Sequence, residues 1–350
     1  MKFSPIVAGA LLVVSGLLSC QGKRAPIQTP PPTTTGYILL DSTAAAALIV
    51  RDTVEHFFER VGPADISLQL QDPLAEAPDR DALIARYRDF LRRDVASFTP
   101  VEAAVVRQAF EAAKAQIDAR FPGFFPAIEI PLLKTNGKHY GDGVYYTREN
   151  AIIIPADQLG SSNAAALQST LIHEIFHVWS RNHRAQRDNL YALIGFKPLG
   201  VPVERMTLPA SLRDRMLLNP DGIDYAYTIE LQRDGRPFRA VPMLIADPGR
   251  YSKEKKGFFR YLQFQLFELD ERRGGMVLNE LIADPAGRST VELGAHPEFM
   301  AQIGDNTGYI IHPEEIIAEN FRLLVEGSPG GGSARGKALL TDVARLLESF

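Results

Sequence analysis

Residues 164–183, AAALQSTLIHEIFHVWSRNH, decide the reading of this chain. Leu167, Leu171, Ile172, Ile175, Phe176 and Trp179 recur at helical spacing around much of the circumference, which predicts a helix largely inside a domain. Ser161-Ser162-Asn163 offers its cap. The segment contains His173-Glu174-Ile175-Phe176-His177. Four residues make slightly more than one turn, so His173 and His177 project from one face about 6 Å apart along the axis, in reach of one divalent ion. Glu174 points to the side of that ion, where it can accept a proton from an activated water. Zinc lowers the pKa of its water to roughly 7, so such a site supplies a nucleophile near neutral pH. Two histidines and a glutamate inside a domain would be costly unless paired or metal-bound. The plain alternative is a partly exposed helix with a surface His-Glu-His cluster.

A third ligand is needed, and the only cysteine of the chain, Cys20, lies far away near the N-terminus. Residues 309–321 read YIIHPEEIIAENF. Pro313 suits a helix start. Glu315 and Glu319 share one face, while Ile316, Ile317 and Phe321 supply packing. Such a carboxylate pair suits a metal ligand plus a partner that orients a ligand histidine. It equally suits an ordinary amphipathic helix whose glutamates face solvent.

Together the two segments resemble the gluzincin zinc peptidases. The run EIIAENF from Glu315 is similar to the third-ligand helix of the anthrax lethal factor metalloprotease domain. The resemblance covers residues around 144–183 and 305–325. It implies a zincin-like catalytic domain in which His173, His177 and Glu315 hold Zn2+, Glu174 is the general base and Glu319 orients a histidine. Glu314, one residue away, competes with Glu315 for the ligand role. The resemblance also implies a donor to the oxyanion of the tetrahedral intermediate, either Tyr309 or His312. It further implies an edge strand, Ala151–Ile154, that pairs with extended substrate backbone; by its residues alone that run reads as a buried strand. The chain lacks the His-x-x-Gly-x-x-His spacing of metzincins, because His183 follows His177 without the glycine turn. Glu149-Asn150 lacks the Gly and Met of the aminopeptidase Gly-x-Met-Glu-Asn motif and is not read as one. His56, His139 and His296 have no partner at ligand spacing.

Around these segments the pattern predicts an α+β chain. Residues 37–121 read as a helical N-terminal module, with helices over Ala44–Val61 and Asp81–Val95 and a third opening at Thr99-Pro100-Val101-Glu102, a capping box with proline at the first helical position. Residues 122–199 read as the core domain, with strands at Ala127–Leu133, Val144–Thr147 and Ala151–Ile154. The wide gap between His177 and Glu315 demands an insertion, and residues 200–300 supply a β-rich one, with strand-like runs at Tyr225–Leu231, Phe238–Ile245 and Phe258–Leu269. Residues 301–350 read as C-terminal helices, Pro313–Val325 and Ala334–Leu347.

Composition limits the function. The chain has 350 residues, 45% hydrophobic and 23% charged, as in ordinary globular proteins. Lys+Arg number 38 against 42 Asp+Glu, a net charge of −4 without a basic stripe, so no nucleic-acid partner is expected.

The N-terminus, MKFSPIVAGALLVVSGLLSC, has a short positive start and an apolar run too short to span a bilayer, which fits an export signal over residues 1–19. Leu17-Leu18-Ser19-Cys20 resembles a bacterial lipobox, which implies lipid attached at Cys20. Residues 20–36 are polar and proline-rich and read as a tether. Gln21 in place of Asp favours sorting to the outer membrane. The expectation is a lipid-anchored zinc peptidase of the bacterial cell envelope acting on peptide or protein substrates. The alternative is a non-catalytic envelope lipoprotein that keeps the fold as a binding or structural module.

Overall fold

The computed structural model describes residues 36–74, 79–125, 127–160, 164–200, 206–223, 225–273 and 276–350. The leader, Cys20, the tether before Gly36 and the cap at Ser161-Ser162-Asn163 lie outside the described residues. Residues 35–350 form one compact unit of mixed α+β structure. Its elements are β1 (Tyr37–Leu39), α1 (Ser42–Leu48), α2 (Phe57–Arg60), α3 (Pro63–Leu70), α4 (Arg80–Asp94), β2 (Val95–Ala96), α5 (Pro100–Arg120), β3 (Ile130–Thr135), β4 (Tyr146–Arg148), β5 (Ala151–Pro155), α6 (Ala164–Asn182) and α7 (Arg184–Leu193). They continue with β6 (Phe196–Pro198), α8 (Ala210–Arg213), β7 (Met216–Leu217), β8 (Tyr227–Arg233), β9 (Arg236–Ala246), β10 (Leu262–Arg273), β11 (Met276–Leu281), α9 (Pro297–Ile303), α10 (Pro313–Val325) and α11 (Ala334–Leu347).

The first sheet runs β1-β3-β5-β4, with β2 also on β3. β1, β3 and β5 are parallel, and β4 returns antiparallel on β5. Both faces are buried. Leu132, Ile152 and Ile154 join the apolar core that includes residues of α5, α6 and α10, while Leu133, Ala151 and Ile153 join the core on the other face. This is why these strands read as continuous apolar runs rather than alternating ones. The second sheet, β11-β10-β9-β8-β6 with β7 on β9, is antiparallel throughout, and Met243, Leu244 and Ile245 of β9 share the second core with Leu133 and Ile153.

Four expectations need correction. Residues 37–121 are not a separate helical module: β1 and β2 pair with β3, and α5 packs along α6. The expected helix over Ala44–Val61 is broken between α1 and α2, because side chains capture the backbone there. Glu149 accepts from Thr53 N (2.8 Å) and Val54 N (3.0 Å), and Asp52 accepts from Phe58 N (3.0 Å). Ala151–Ile154 is not an edge strand, since β5 is paired on both sides; the edge is β4. The insertion does not begin cleanly at residue 200, because β6 pairs with β8 inside the second sheet. By contrast, Thr99 caps α5 as read: its side chain accepts from Glu102 N (3.3 Å), and Glu102 accepts from Thr99 N (2.7 Å).

Candidate metal centre

α6 presents His173, Glu174 and His177 within a buried stretch, with Leu171, Ile172, Ile175, Phe176 and Val178 filling the core around them. α10 meets α6 through an aromatic cluster. Phe321 lies 5.3 Å from Phe176 and 4.5 Å from Phe124, and Phe124 stacks on Trp179 at 4.6 Å (ring centroids). Each such pair adds about 0.5–1.5 kcal/mol beyond area burial. The cluster sets the approach of the two helices and so delivers the first turn of α10 to the imidazoles. That turn opens on His312, whose Nδ1 accepts from Glu314 N (3.1 Å), followed by Pro313 at the first helical position.

The geometry separates the two adjacent glutamates. Glu315 Oε2 lies 3.1 Å from His173 Nε2 and 3.5 Å from His177 Nε2. Tetrahedral ligands about 2.1 Å from an ion stand roughly 3.4 Å apart, close to both distances from Glu315 to the imidazoles. Glu314 instead accepts from His177 Nδ1 (2.9 Å), Ser180 Oγ (2.7 Å) and the Tyr191 hydroxyl. Glu319 Oε1 lies 3.0 Å from His173 Nδ1 and is held from the other side by Arg322 (2.9 Å). Each imidazole thus faces a carboxylate at Nδ1, which leaves Nε2 of both turned toward Glu315.

Buried His173, His177 and Glu315 lie close enough to hold a metal ion. Two further observations support the fit. His177 Nε2 and Glu174 Oε2 are buried without a hydrogen-bond partner, a cost that a cation and its water would relieve. Three carboxylates crowd two imidazoles, and that excess of negative charge calls for a cation. Burial and His177 oppose a proton on His173, yet Glu315 and Glu319 outweigh them and raise its pKa to about 9. Glu315 is held well below the usual carboxylate range, because the histidine charges and hydrogen bonds overcome its burial.

Glu174 stands beside this set, and with His177 and Asp221 it forms a second group close enough to hold an ion. Burial, then the nearby charge of Asp221, raises its pKa to about 8. Asp221 belongs to a turn, Asn219-Pro220-Asp221-Gly222, between β7 and β8. Its Oδ1 accepts from Thr147 N (2.5 Å) and Oγ1 (2.6 Å) on β4. Arg181 of α6 donates to Thr147 Oγ1 (2.7 Å) and Pro220 O (3.3 Å). Asn219 Nδ2 donates to Glu315 Oε1 (2.7 Å). Gly222 packs so tightly that a Cβ there would come 2.4 Å from His312 Cε1. Turn chemistry could have located Asn-Pro-Asp-Gly, but nothing in it signals contact with a residue almost a hundred positions later.

A cleft of about 640 Å³ opens over the site, lined by His173, Glu174, Asp221, Tyr309, Glu315 and Glu319 among others. Tyr309 is 40% exposed and lines this cleft; desolvation, then Glu315 and the neighbouring carboxylates, keeps its phenol protonated as a donor. His312 takes a different task from the one expected. It is buried, does not line the cleft, and uses Nδ1 to cap α10. Glu149 is consumed by Thr53 and Val54 at the turn after β4. His139 is paired with Asp94 and Tyr146, and His296 lies 3.0 Å from Glu298.

Compared with protein families, curated proteins and solved structures, the chain has no match, so its function is argued from this geometry.

Proposed function

We propose that the chain is a zinc-dependent peptidase of the gluzincin type, carried by lipid on Cys20 in a bacterial envelope. The observation that carries the reading is the convergence of His173, His177 and Glu315 from two helices far apart in sequence, with Glu174 alongside. The two imidazoles and one carboxylate suit zinc and leave room for a solvent or substrate oxygen. Bound there, the ion supplies Lewis-acid polarisation and a water acidic enough to react near neutral pH. Glu174 takes the proton of the attacking water and passes it to the leaving amine. Tyr309 donates a hydrogen bond to the carbonyl oxygen as it gains charge. Glu314 fixes the His177 imidazole through Nδ1, and the Glu319 carboxylate stands 3.0 Å from His173 Nδ1. A sheet whose antiparallel edge strand, β4, runs beside the active-site helix agrees with a zincin-like fold.

The test pairs metal content with cleavage. Purified protein should bind one zinc and cut unfolded protein substrates. Glu174→Gln should keep the zinc and lose about 10²–10⁴-fold in kcat. A Glu174→Gln protein that cleaves as fast as wild type would reject the assigned base.

A further inference from the structure

We propose that the loop at 250–260, between β9 and β10, docks on a lipid bilayer, its cations against anionic headgroups and Phe259 in the apolar layer beneath them. This goes beyond the peptidase reading, and the docking needs no metal. The loop reads RYSKEKKGFFR, five cations against one anion, in a chain whose net charge is −4.

The fold holds this loop open to solvent. At its far end the buried Tyr261 grips Ser252: the tyrosine hydroxyl accepts from Ser252 N (2.7 Å) and donates to Ser252 O (3.1 Å). Tyr251 N donates to Ser67 Oγ (3.0 Å), and the buried Phe258 ring stands edge-on to Tyr140 at 4.9 Å. Phe258 thus roots the loop in the core, while its neighbour Phe259 is left 49% exposed. Lys255 turns inward, over the Tyr261 ring at 4.8 Å. Arg250, Lys253, Lys256 and Arg260 are exposed and have no ion-pair partner among the described residues. Asp247, just before the loop, does not neutralise them, because it is paired with Arg215 and Arg288, each at 3.2 Å.

A phenyl ring left in water beside unpaired cations fits a surface that is charged outside and apolar just below. The ring gains by leaving water, and the cations are drawn to anionic lipid. An acidic polypeptide would satisfy the cations too. Continued into the metal cleft, whose wall includes Phe259, it would meet Asp142, Glu174 and Asp221. The bilayer meets no such repulsion. Docking here also brings the mouth of the cleft to the membrane surface, so that the polypeptide cut would be chain close to where it leaves the bilayer. That consequence alone rests on the peptidase reading.

The test uses the full chain with Cys20→Ser, which carries no lipid, and with Phe259→Trp as a reporter. The one native tryptophan, Trp179, is buried and out of reach of acyl chains. Vesicles of phosphatidylcholine with phosphatidylglycerol should shift the new emission to the blue, and brominated acyl chains should quench it; pure phosphatidylcholine should do neither. Adding Lys253→Ala and Lys256→Ala should raise the anionic lipid needed for half-maximal quenching roughly 25-fold, about fivefold for each cation lost. Both lysines are exposed, so the fold is kept, and the same leader is present in every variant. Unchanged emission with anionic vesicles would overturn the proposal. So would equal quenching by neutral vesicles, or a shift produced by polyglutamate and not by vesicles, which would assign the loop to an acidic protein partner. Zinc content, measured on the same samples, reports on the metal site separately.

Discussion

Glu315 offers one oxygen to the two imidazoles because Asn219 holds the other. That single amide fixes which carboxylate atom faces the imidazoles and would favour one bond over two from this side chain to a bound ion. Asn219→Ala should lower zinc affinity by about 10–100-fold, measured by competition with a chelator, while Asn219→Gln, which keeps the donor, should recover part of it. Unchanged affinity in Asn219→Ala would show that Glu315 is positioned by α10 alone. At this scale the sequence was informative where the spacing of a helix dictates geometry. His173, Glu174 and His177 follow from one turn of helix. Glu314 and Glu315 did not separate by pattern, because both sit in the first turn of α10 and both are buried. What distinguishes them is three donors, His177, Ser180 and Tyr191, that gather around Glu314. Two of those lie on α6 and one on α7, and no local signal links them to residue 314.

The elements hold the centre through their packing. Phe321 lies two residues beyond Glu319 and is fully buried against Phe121, Phe124 and Phe176. Phe321→Ala should cost about 3–5 kcal/mol of stability by urea unfolding, the range for a large aromatic removed from a core. Because the cavity would open between α6 and α10, zinc affinity should fall with it. Loss of stability with zinc affinity intact would mean that the two helices are held in register by something else. Helices with strong end signals were readable here. The capping box at Thr99 and the proline at Pro313 each mark a start that the structure keeps. Short strands were not. β1 and β2 span three and two residues, and what makes them strands is β3, which lies far along the chain. The edge position of β4 is likewise a property of the sheet and not of the apolar run beside it.

For the molecule as a whole, the interior polar groups set how stability responds to pH. Asp65 is fully buried on α3, accepts from Leu218 N (2.9 Å) and from Gln69 Nε2 (2.6 Å), and is pushed up by burial to about 6. Its unfolded value is about 3.9. The folded state therefore binds this proton more tightly than the unfolded chain does. The group contributes its full stabilisation below about pH 4, and that contribution is lost as pH rises through about 6. The span of roughly two pH units corresponds to about 3 kcal/mol. Asp65→Asn should flatten the stability profile between about pH 4 and 6 relative to wild type, as read from unfolding midpoints. An unchanged slope would assign the pH dependence elsewhere. The α+β class and the division into helical and β-rich stretches were legible from periodicity and turn residues. How these stretches share one sheet and two cores was not, since it depends on contacts between residues a hundred or more positions apart.

The central claim is that one metal ion sits where His173, His177 and Glu315 converge. Anomalous diffraction at the zinc edge, from crystals of the zinc-loaded protein, tests it most directly. The account predicts a single peak about 2.0–2.2 Å from His173 Nε2, His177 Nε2 and one oxygen of Glu315, with Glu174 near it but not bound. A peak elsewhere, or Glu315 turned away from both imidazoles in the loaded protein, would contradict it.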